Sequence, residues 1–115
     1  MLFRSDVEER GLSEKILLVV TGEMGRTPTV NKAGGRDHWG NLTPLLLAGG
    51  GLKTGVVVGQ SDKRAGEPAT EPYGIKHVAA TVLQTLLNPG EVRIQRGVPD
   101  DVARLVAEEP IRELV

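Results

Sequence analysis

The chain has 115 residues, a formal net charge of −1 at pH 7 and only 3% aromatic residues. This length is enough for one small domain, and the near-zero charge gives no electrostatic reason to expect binding to nucleic acid. No apolar run approaches the ~20 residues of a membrane span, and no cysteine is present to form a disulfide or a thiolate metal site. The chain has fifteen glycines, about double the usual share, and this excess predicts many loops and tight turns.

The N-terminal part predicts one short helix and one buried strand. Residues 2–10 place Phe3 and Val7 among charges, which is typical of an amphipathic helix, and Gly11 is its expected stop. Residues 15–21 contain the run Ile-Leu-Leu-Val-Val, which predicts a strand buried on both faces. The N-terminus lacks the apolar core of a signal peptide.

Residues 22–41 are predicted to be a functional loop. Five glycines, together with Pro28 and Asn31, prevent long regular structure there, and such a length is too great for a simple connection. Beyond the loop, residues 45–48 and 56–59 predict two neighbouring antiparallel strands joined through a triple-glycine turn.

The second half of the chain opens with a polar segment, 61–73, that predicts an exposed loop. Residues 75–87 carry the clearest helical signal, a seven-residue apolar stripe that predicts an amphipathic helix packed on the sheet. Residues 88–90, Asn-Pro-Gly, are expected to end this helix. Further on, the alternation at 92–94 suggests a short edge strand, and Pro99 begins a predicted helical turn.

Two stretches of the long loop carry the candidate site residues. One follows the first strand directly, and in open α/β sheets ligands bind beyond the carboxyl ends of strands. Carboxylates and imidazoles can bind a divalent metal, and guanidinium groups can hold an anion. The candidate metal ligands are Glu23, Asp37 and His38, and the candidate anion-binding residues are Arg26 and Arg36.

These residues also have a structural interpretation, which the sequence alone leaves open. Glu23 could accept backbone hydrogen bonds, and Arg36 and Asp37 could form a local salt bridge. His38 would then point to solvent, and Trp39 would belong to a core. No serine lies in a nucleophile elbow, so a catalytic site would need a nucleophile from elsewhere.

The Gly-Gly-Gly-Leu-Lys-Thr segment after the second predicted strand is only superficially similar to a phosphate-binding loop. Such a loop needs glycine directly before the Lys-Thr pair and a helix after it. Here Leu52 precedes Lys53 and a valine-rich segment follows. A turn is the better prediction for the triple glycine.

The two stretches of the long loop resemble the C-terminal part of the DUF1501 proteins, sulfatase-like members of the alkaline phosphatase superfamily. The resemblance extends through the triple glycine, residues 58–63 and residues 110–114, and so covers nearly the whole chain. The two motifs read Val19-Val20-Thr21-Gly22-Glu23-Met24-Gly25-Arg26-Thr27-Pro28 and Gly34-Gly35-Arg36-Asp37-His38-Trp39-Gly40.

The resemblance implies an alkaline-phosphatase-like α/β fold, in which residues 1–115 form a single partial domain, the C-terminal part of the sheet with flanking helices. It also implies a divalent-metal site, for Zn, Ca, Mg or Mn. Sulfatases carry an Asp-His ligand pair where this chain has Glu23-Met24, so Asp37-His38 is the better place for a retained ligand. In whole members the nucleophile lies in the N-terminal part, and those members are expected to be exported.

The resulting hypothesis is a fragment or truncated member of a sulfatase-like, metal-dependent hydrolase, inactive alone. Its substrate would be a small-molecule or glycan ester of sulfate or phosphate. The exposed apolar edge expected of a partial sheet would favour self-association. The alternative is a non-catalytic structural or binding domain that retains the scaffold, which the missing nucleophile segment favours.

Overall fold

A computed structural model describes residues 2–115. Over these residues the chain is a small mixed α/β domain with four helices and short strands, which confirms the fold prediction at this coarse level. The strands form two small sheets, β1 with β4 and β2 with β3. No helix within residues 2–115 is both long and apolar enough to cross a membrane. The elements are, in order, α1 (Leu2–Glu9), β1 (Leu17–Thr21), β2 (Gly25–Arg26), β3 (His38–Trp39), β4 (Leu45–Gly49), α2 (Ile75–Leu86), α3 (Pro89–Ile94) and α4 (Asp100–Ala107).

The residues group into two compact units. The first contains the chain up to Leu18 together with Leu47–Val56 and Tyr73–Val115, and it holds the four helices. The second contains Val19–Leu46 and Val57–Pro72, and it holds the hairpin of β2 and β3. The description as a single partial domain stays a prediction.

Helix α1 ends at the residue that the sequence predicts. Gly11 has φ +65°, a left-handed conformation that glycine adopts at low cost. Its N–H donates to the carbonyl of Glu8 at 3.0 Å, and the N–H of Leu12 donates to the carbonyl of Val7 at 2.9 Å. This pair of bonds closes a helix through a left-handed glycine and satisfies carbonyls that would otherwise lack partners.

Strand β1 forms where predicted, but the expectation that it is buried on both faces is wrong. The side chains of Val19 and Val20 are 39% and 52% exposed. Because successive residues of a strand face opposite sides, both faces of β1 reach solvent. The reason is that β1 has one strand neighbour, β4, within the described residues, whereas burial of both faces requires a covering layer on each side.

The strand predicted at residues 56–59 does not form, and its predicted pairing with residues 45–48 is wrong. Strand β4 does form, but β1 is its neighbour in the sheet. The triple glycine after it is a turn, as predicted, with positive φ at all three residues. Gly55 and Gly59 also have positive φ, +75° and +77°, and these left-handed positions interrupt extended structure on both sides of the three valines.

Helix α2 lies within the range predicted by the apolar spacing, but its most buried face is not the predicted stripe. Ala80 and Thr81 are completely buried, whereas Ile75 and Leu86, at the two ends of the stripe, are exposed. The helix packs mainly against α4 rather than on the sheet. Small side chains allow two helices to approach closely, so the packing partner decides which face is buried.

Polar side chains of α2 hold the chain that follows α4. The hydroxyl of Thr81 accepts the N–H of Ile111 at 2.8 Å. The amide of Gln84 donates to the carbonyls of Val106 and Glu108 at 2.8 Å and 3.0 Å. These carbonyls lie at the C-terminal end of α4, where helical carbonyls lack intrahelical partners. Val106 and Ile111 complete the small core of the first unit.

The predicted edge strand at 92–94 is wrong, because these residues belong to α3. The side chain of Asn88 accepts the N–H groups of Gly90 and Glu91 at 2.9 Å and 3.4 Å, and Pro89 occupies the first helical turn. Asn and Pro in these positions begin a helix, so the Asn-Pro-Gly sequence ends one helix and starts the next. Helix α4 forms where the sequence predicts a helical turn.

Candidate functional site

The loop predicted at residues 22–41 contains a small hairpin. Strands β2 and β3 pair antiparallel, with Gly25 opposite Trp39 and Arg26 opposite His38. The prediction that this loop lacks long regular structure holds, but it did not include the hairpin. Each strand has two residues, which is too short for an alternating pattern to reveal it. The hairpin brings the two candidate stretches of the sequence side by side.

Gly25 allows the hairpin to pack closely on the chain that follows it. A Cβ atom at Gly25 would overlap the carbonyl oxygen of Leu42 and would lie 2.9 Å from that of Trp39. At Gly40, by contrast, a Cβ atom would meet nothing within 4 Å. Gly25 is buried and is needed for its small size, since its φ is not positive.

Arg26 and His38 are neighbours on one face of the hairpin. The N–H of Thr27 donates to the carbonyl of Asp37 at 3.0 Å. Since bonded and non-bonded pairs alternate along an antiparallel ladder, Arg26 and His38 form a non-hydrogen-bonded pair, with Cα atoms about 4.5 Å apart. Opposite residues share a face. Both side chains are exposed, and within residues 2–115 neither makes a hydrogen bond or ion pair.

Arg36 holds together the turn that connects the two strands of the hairpin. One nitrogen of its guanidinium, Nη1, donates to the carbonyls of Thr27 and Pro28 at 2.7 Å and 2.6 Å. The N–H of Asp37 donates to the hydroxyl of Thr27 at 3.1 Å, in place of the carbonyl that a regular ladder would offer. Arg36 is thus a structural residue of the loop, with its other N–H groups still available as donors.

Asn31 organises the turn that joins the two strands, a role that the sequence analysis missed. Its Oδ1 accepts the N–H groups of Ala33 and Gly35, both at 3.0 Å. Its Nδ2 donates to Oδ1 of Asp37 at 2.9 Å. Asparagine side chains often accept hydrogen bonds from nearby backbone N–H groups in turns, so the residue type could have indicated this turn.

The hairpin rests on a second loop of the same unit, residues 61–70. The indole N–H of Trp39 donates to the carbonyl of Gly66 at 2.6 Å, and the amide of Asn41 donates to the carboxylate of Glu67 at 2.7 Å. The second loop is held by Asp62, whose Oδ1 accepts the N–H of Gly66 at 2.7 Å. Trp39 is half-buried.

The structure brings together only some of the predicted site residues. Arg26 and His38 form a pair, Arg36 and Asp37 are engaged in the loop, and Glu23 is exposed just before the hairpin. No group of three or more His, Asp or Glu side chains that could hold a metal ion is found in residues 2–115. Neighbouring strand residues face opposite sides, which separates the side chains of Asp37 and His38. The metal centre stays a prediction.

Fold and site together define a small mixed α/β domain whose hairpin presents an arginine and a histidine on one face. The family model described as "Protein of unknown function (DUF1501)" matches residues 2–113. The chain belongs to the DUF1501 family, as its loop motifs indicate. Comparison with curated proteins and with solved structures found no match.

Proposed function

We propose that the chain is the C-terminal portion of a sulfatase-like, metal-dependent hydrolase that acts on sulfate or phosphate esters, with an alkaline-phosphatase-like fold. Its own contribution is to bind the anionic group of the ester, and alone it turns over no substrate. The pairing of Arg26 with His38 carries this proposal. The loop motifs, which resemble those of this class, support it.

The pair has the chemistry to bind a tetrahedral oxyanion. A guanidinium presents several N–H donors in a fixed plane, and an imidazole adds at least one more. Charge-assisted hydrogen bonds contribute about 1.5–3 kcal/mol each. Because association itself has an entropic cost, two such bonds give only weak binding, with a Kd of about 1 mM or above. Exposure of both side chains to water weakens the binding further.

Calorimetric titration of the chain with sulfate and with phosphate tests the anion-binding part. Arg26→Gln should weaken binding about tenfold, since it removes the permanent charge. His38→Gln should weaken it less. Arg96→Gln is the matched control, because Arg96 is exposed and lies in the other unit. Equal affinities in all three variants, or no binding by the parent chain, would contradict the proposal.

A second candidate function is a non-catalytic structural or binding domain that retains the scaffold. The observation in its favour is that residues 2–115 contain no group of three or more possible metal ligands. Titration with Zn²⁺ and Ca²⁺ separates the two candidates. Metal binding by the hydrolase portion would use the predicted ligands Glu23, Asp37 and His38, which the loop would have to bring together, and His38→Gln should weaken it. A binding domain should take up neither ion specifically.

A further inference from the structure

We propose that His77 is a pH-sensitive cap of helix α2: its neutral ring holds the start of the helix, and protonation of the ring releases it. This inference is independent of the proposed function. The N–H of Gly74, the residue that precedes α2, donates to Nδ1 of His77 at 2.9 Å. A ring nitrogen accepts a hydrogen bond only while it carries no proton. The bond therefore requires the neutral ring, with its proton on Nε2.

The start of α2 depends on this ring because Gly74 cannot cap the helix itself. The first N–H groups of a helix have no partner within the helix, and a polar side chain at the residue before the helix usually supplies one. Gly74 has no such side chain, and within residues 2–115 it is His77 that bonds to this end of α2. His77 takes the place of the Glu or Gln that often accepts the N–H of the residue three positions before it.

Protonation of His77 would also add positive charge at an unfavourable position. The N-terminal end of a helix carries a partial positive charge, and Lys76 adds a full one beside it. The amine of Lys76 pairs with the carboxylate of Glu108, at the end of α4, at 3.4 Å. The protonated ring would thus lose its hydrogen bond and meet the positive end of the helix, so both effects favour release.

The other groups around the ring keep their charge while histidine titrates. The ring of Tyr73 lies edge-on to the ring of His77, with centroids 5.3 Å apart. The carboxylate of Glu113, which would attract a protonated ring, is already bound by the hydroxyl of Tyr73. This bond raises the pKa of Tyr73 and lowers the pKa of Glu113, away from the range of about pH 5 to 8 in which histidine ordinarily changes charge. Arg112, beside Glu113, stays charged throughout.

A titration of the ¹⁵N-labelled chain from about pH 8 to pH 5, followed by NMR, is the first test. The protection of the Gly74 amide against exchange, corrected for the direct effect of pH, should fall about tenfold. Its midpoint should be that of the His77 ring signals. The Gly90 amide is the internal control, because its acceptor is the side chain of Asn88, which does not titrate. A Gly74 amide that changes no more than Gly90, or at another midpoint, would overturn the proposal.

Two substitutions of His77 then separate a cap that titrates from any other cause. His77→Gln should keep the Gly74 amide protected at both ends of the titration, since glutamine offers a neutral acceptor at this position. His77→Ala should leave it unprotected at both ends. The amide of Ile111, which donates to the hydroxyl of Thr81, should stay protected in every chain, because the later turns of α2 remain folded. Protection of Gly74 that still depends on pH in His77→Ala, or loss of Ile111 protection together with that of Gly74, would contradict a local cap.

Discussion

At the residue scale, the hairpin depends on Gly25, where no side chain would fit, and on Arg36, whose guanidinium binds backbone carbonyls. Gly25 leaves space that the carbonyl of Leu42 occupies. Arg36 binds the carbonyls of Thr27 and Pro28. Residue type alone does not distinguish a guanidinium that binds a ligand from one that binds its own loop, so the anion-binding role of Arg36 stays a prediction.

Gly25→Ala should destabilise the hairpin, whereas Gly40→Ala should not. The added methyl group at Gly25 would overlap the carbonyl of Leu42, and at Gly40 it would meet open space. Overpacking of this kind costs about 1–3 kcal/mol. Hydrogen exchange of the Thr27 amide, which bonds across the hairpin, measures the effect. Equal protection in the two variants would show that the close approach at Gly25 is not required.

Arg36→Lys should loosen the turn while it retains the positive charge. Lysine lacks the planar fork, so it should not reproduce the two short bonds to Thr27 and Pro28. We expect faster amide exchange of Thr27 and Asp37, together with little change in sulfate affinity. A variant that keeps its exchange protection but loses sulfate binding would instead assign Arg36 to the anion site.

At the element scale, helices followed from local sequence more reliably than strands did. The stop of α1 at Gly11 and the range of α2 depend on residues within a few positions of each other. A strand depends on a partner that is distant in sequence. Thus the valines at 56–58 have strand composition without a strand, and the hairpin of Arg26 and His38 could not be anticipated, because its register is fixed by contacts across many residues.

The buried face of α2 also differs from the predicted apolar stripe, and polar contacts help to explain the difference. An apolar stripe predicts which face of a helix turns inward, but here Thr81 is completely buried and binds the N–H of Ile111. The hydroxyl also donates to the carbonyl of His77 at 2.7 Å. The hydroxyl of Thr81 therefore has a partner both as donor and as acceptor, so this polar residue is compatible with the core.

Thr81→Val should cost about 1–3 kcal/mol of unfolding free energy, although the two side chains have nearly the same shape. The change leaves the N–H of Ile111 buried without its acceptor. Thr85→Val is the control, because the hydroxyl of Thr85 bonds only within its own helix, to the carbonyl of Thr81. Urea denaturation gives both values. Equal losses would mean that the bond to Ile111 contributes little.

At the scale of the whole molecule, stability should depend on pH through the pair formed by Tyr73 and Glu113. The phenol donates to the carboxylate at 2.7 Å. This hydrogen bond raises the pKa of Tyr73 and lowers the pKa of Glu113, because it requires a neutral phenol and a charged carboxylate. It joins the start of α2 to the C-terminal segment within the first unit.

Glu113 and Tyr73 make stability depend on pH at opposite ends of the range. For Glu113, the lowered pKa gives stability that is present above the unfolded value of about 4.3 and is lost as pH falls through the folded value. For Tyr73, the raised pKa gives stability that is present below about 10 and is lost as pH rises through the folded value. The contribution is small, since the pair is solvent-screened.

Comparison of the parent chain with Tyr73→Phe across the pH range tests this account. The difference in unfolding free energy should be largest near neutral pH and should shrink below about pH 4 and above about pH 10. Glu71→Gln provides a control, since Glu71 is exposed and makes no hydrogen bond within residues 2–115. A difference that does not change with pH would show that the hydroxyl contributes nothing through Glu113.

The most direct test of the anion-binding hairpin is a titration of the ¹⁵N-labelled chain with phosphate, followed by NMR. We expect saturable shifts of the Arg26 side-chain N–H and the His38 ring, with smaller shifts of the amides of β2 and β3. Arg26→Gln should abolish most of these shifts, because it removes the charged half of the pair. Shifts confined to Lys63 and Arg64, which are exposed cations of the second loop, or no saturable shifts at all, would contradict the account.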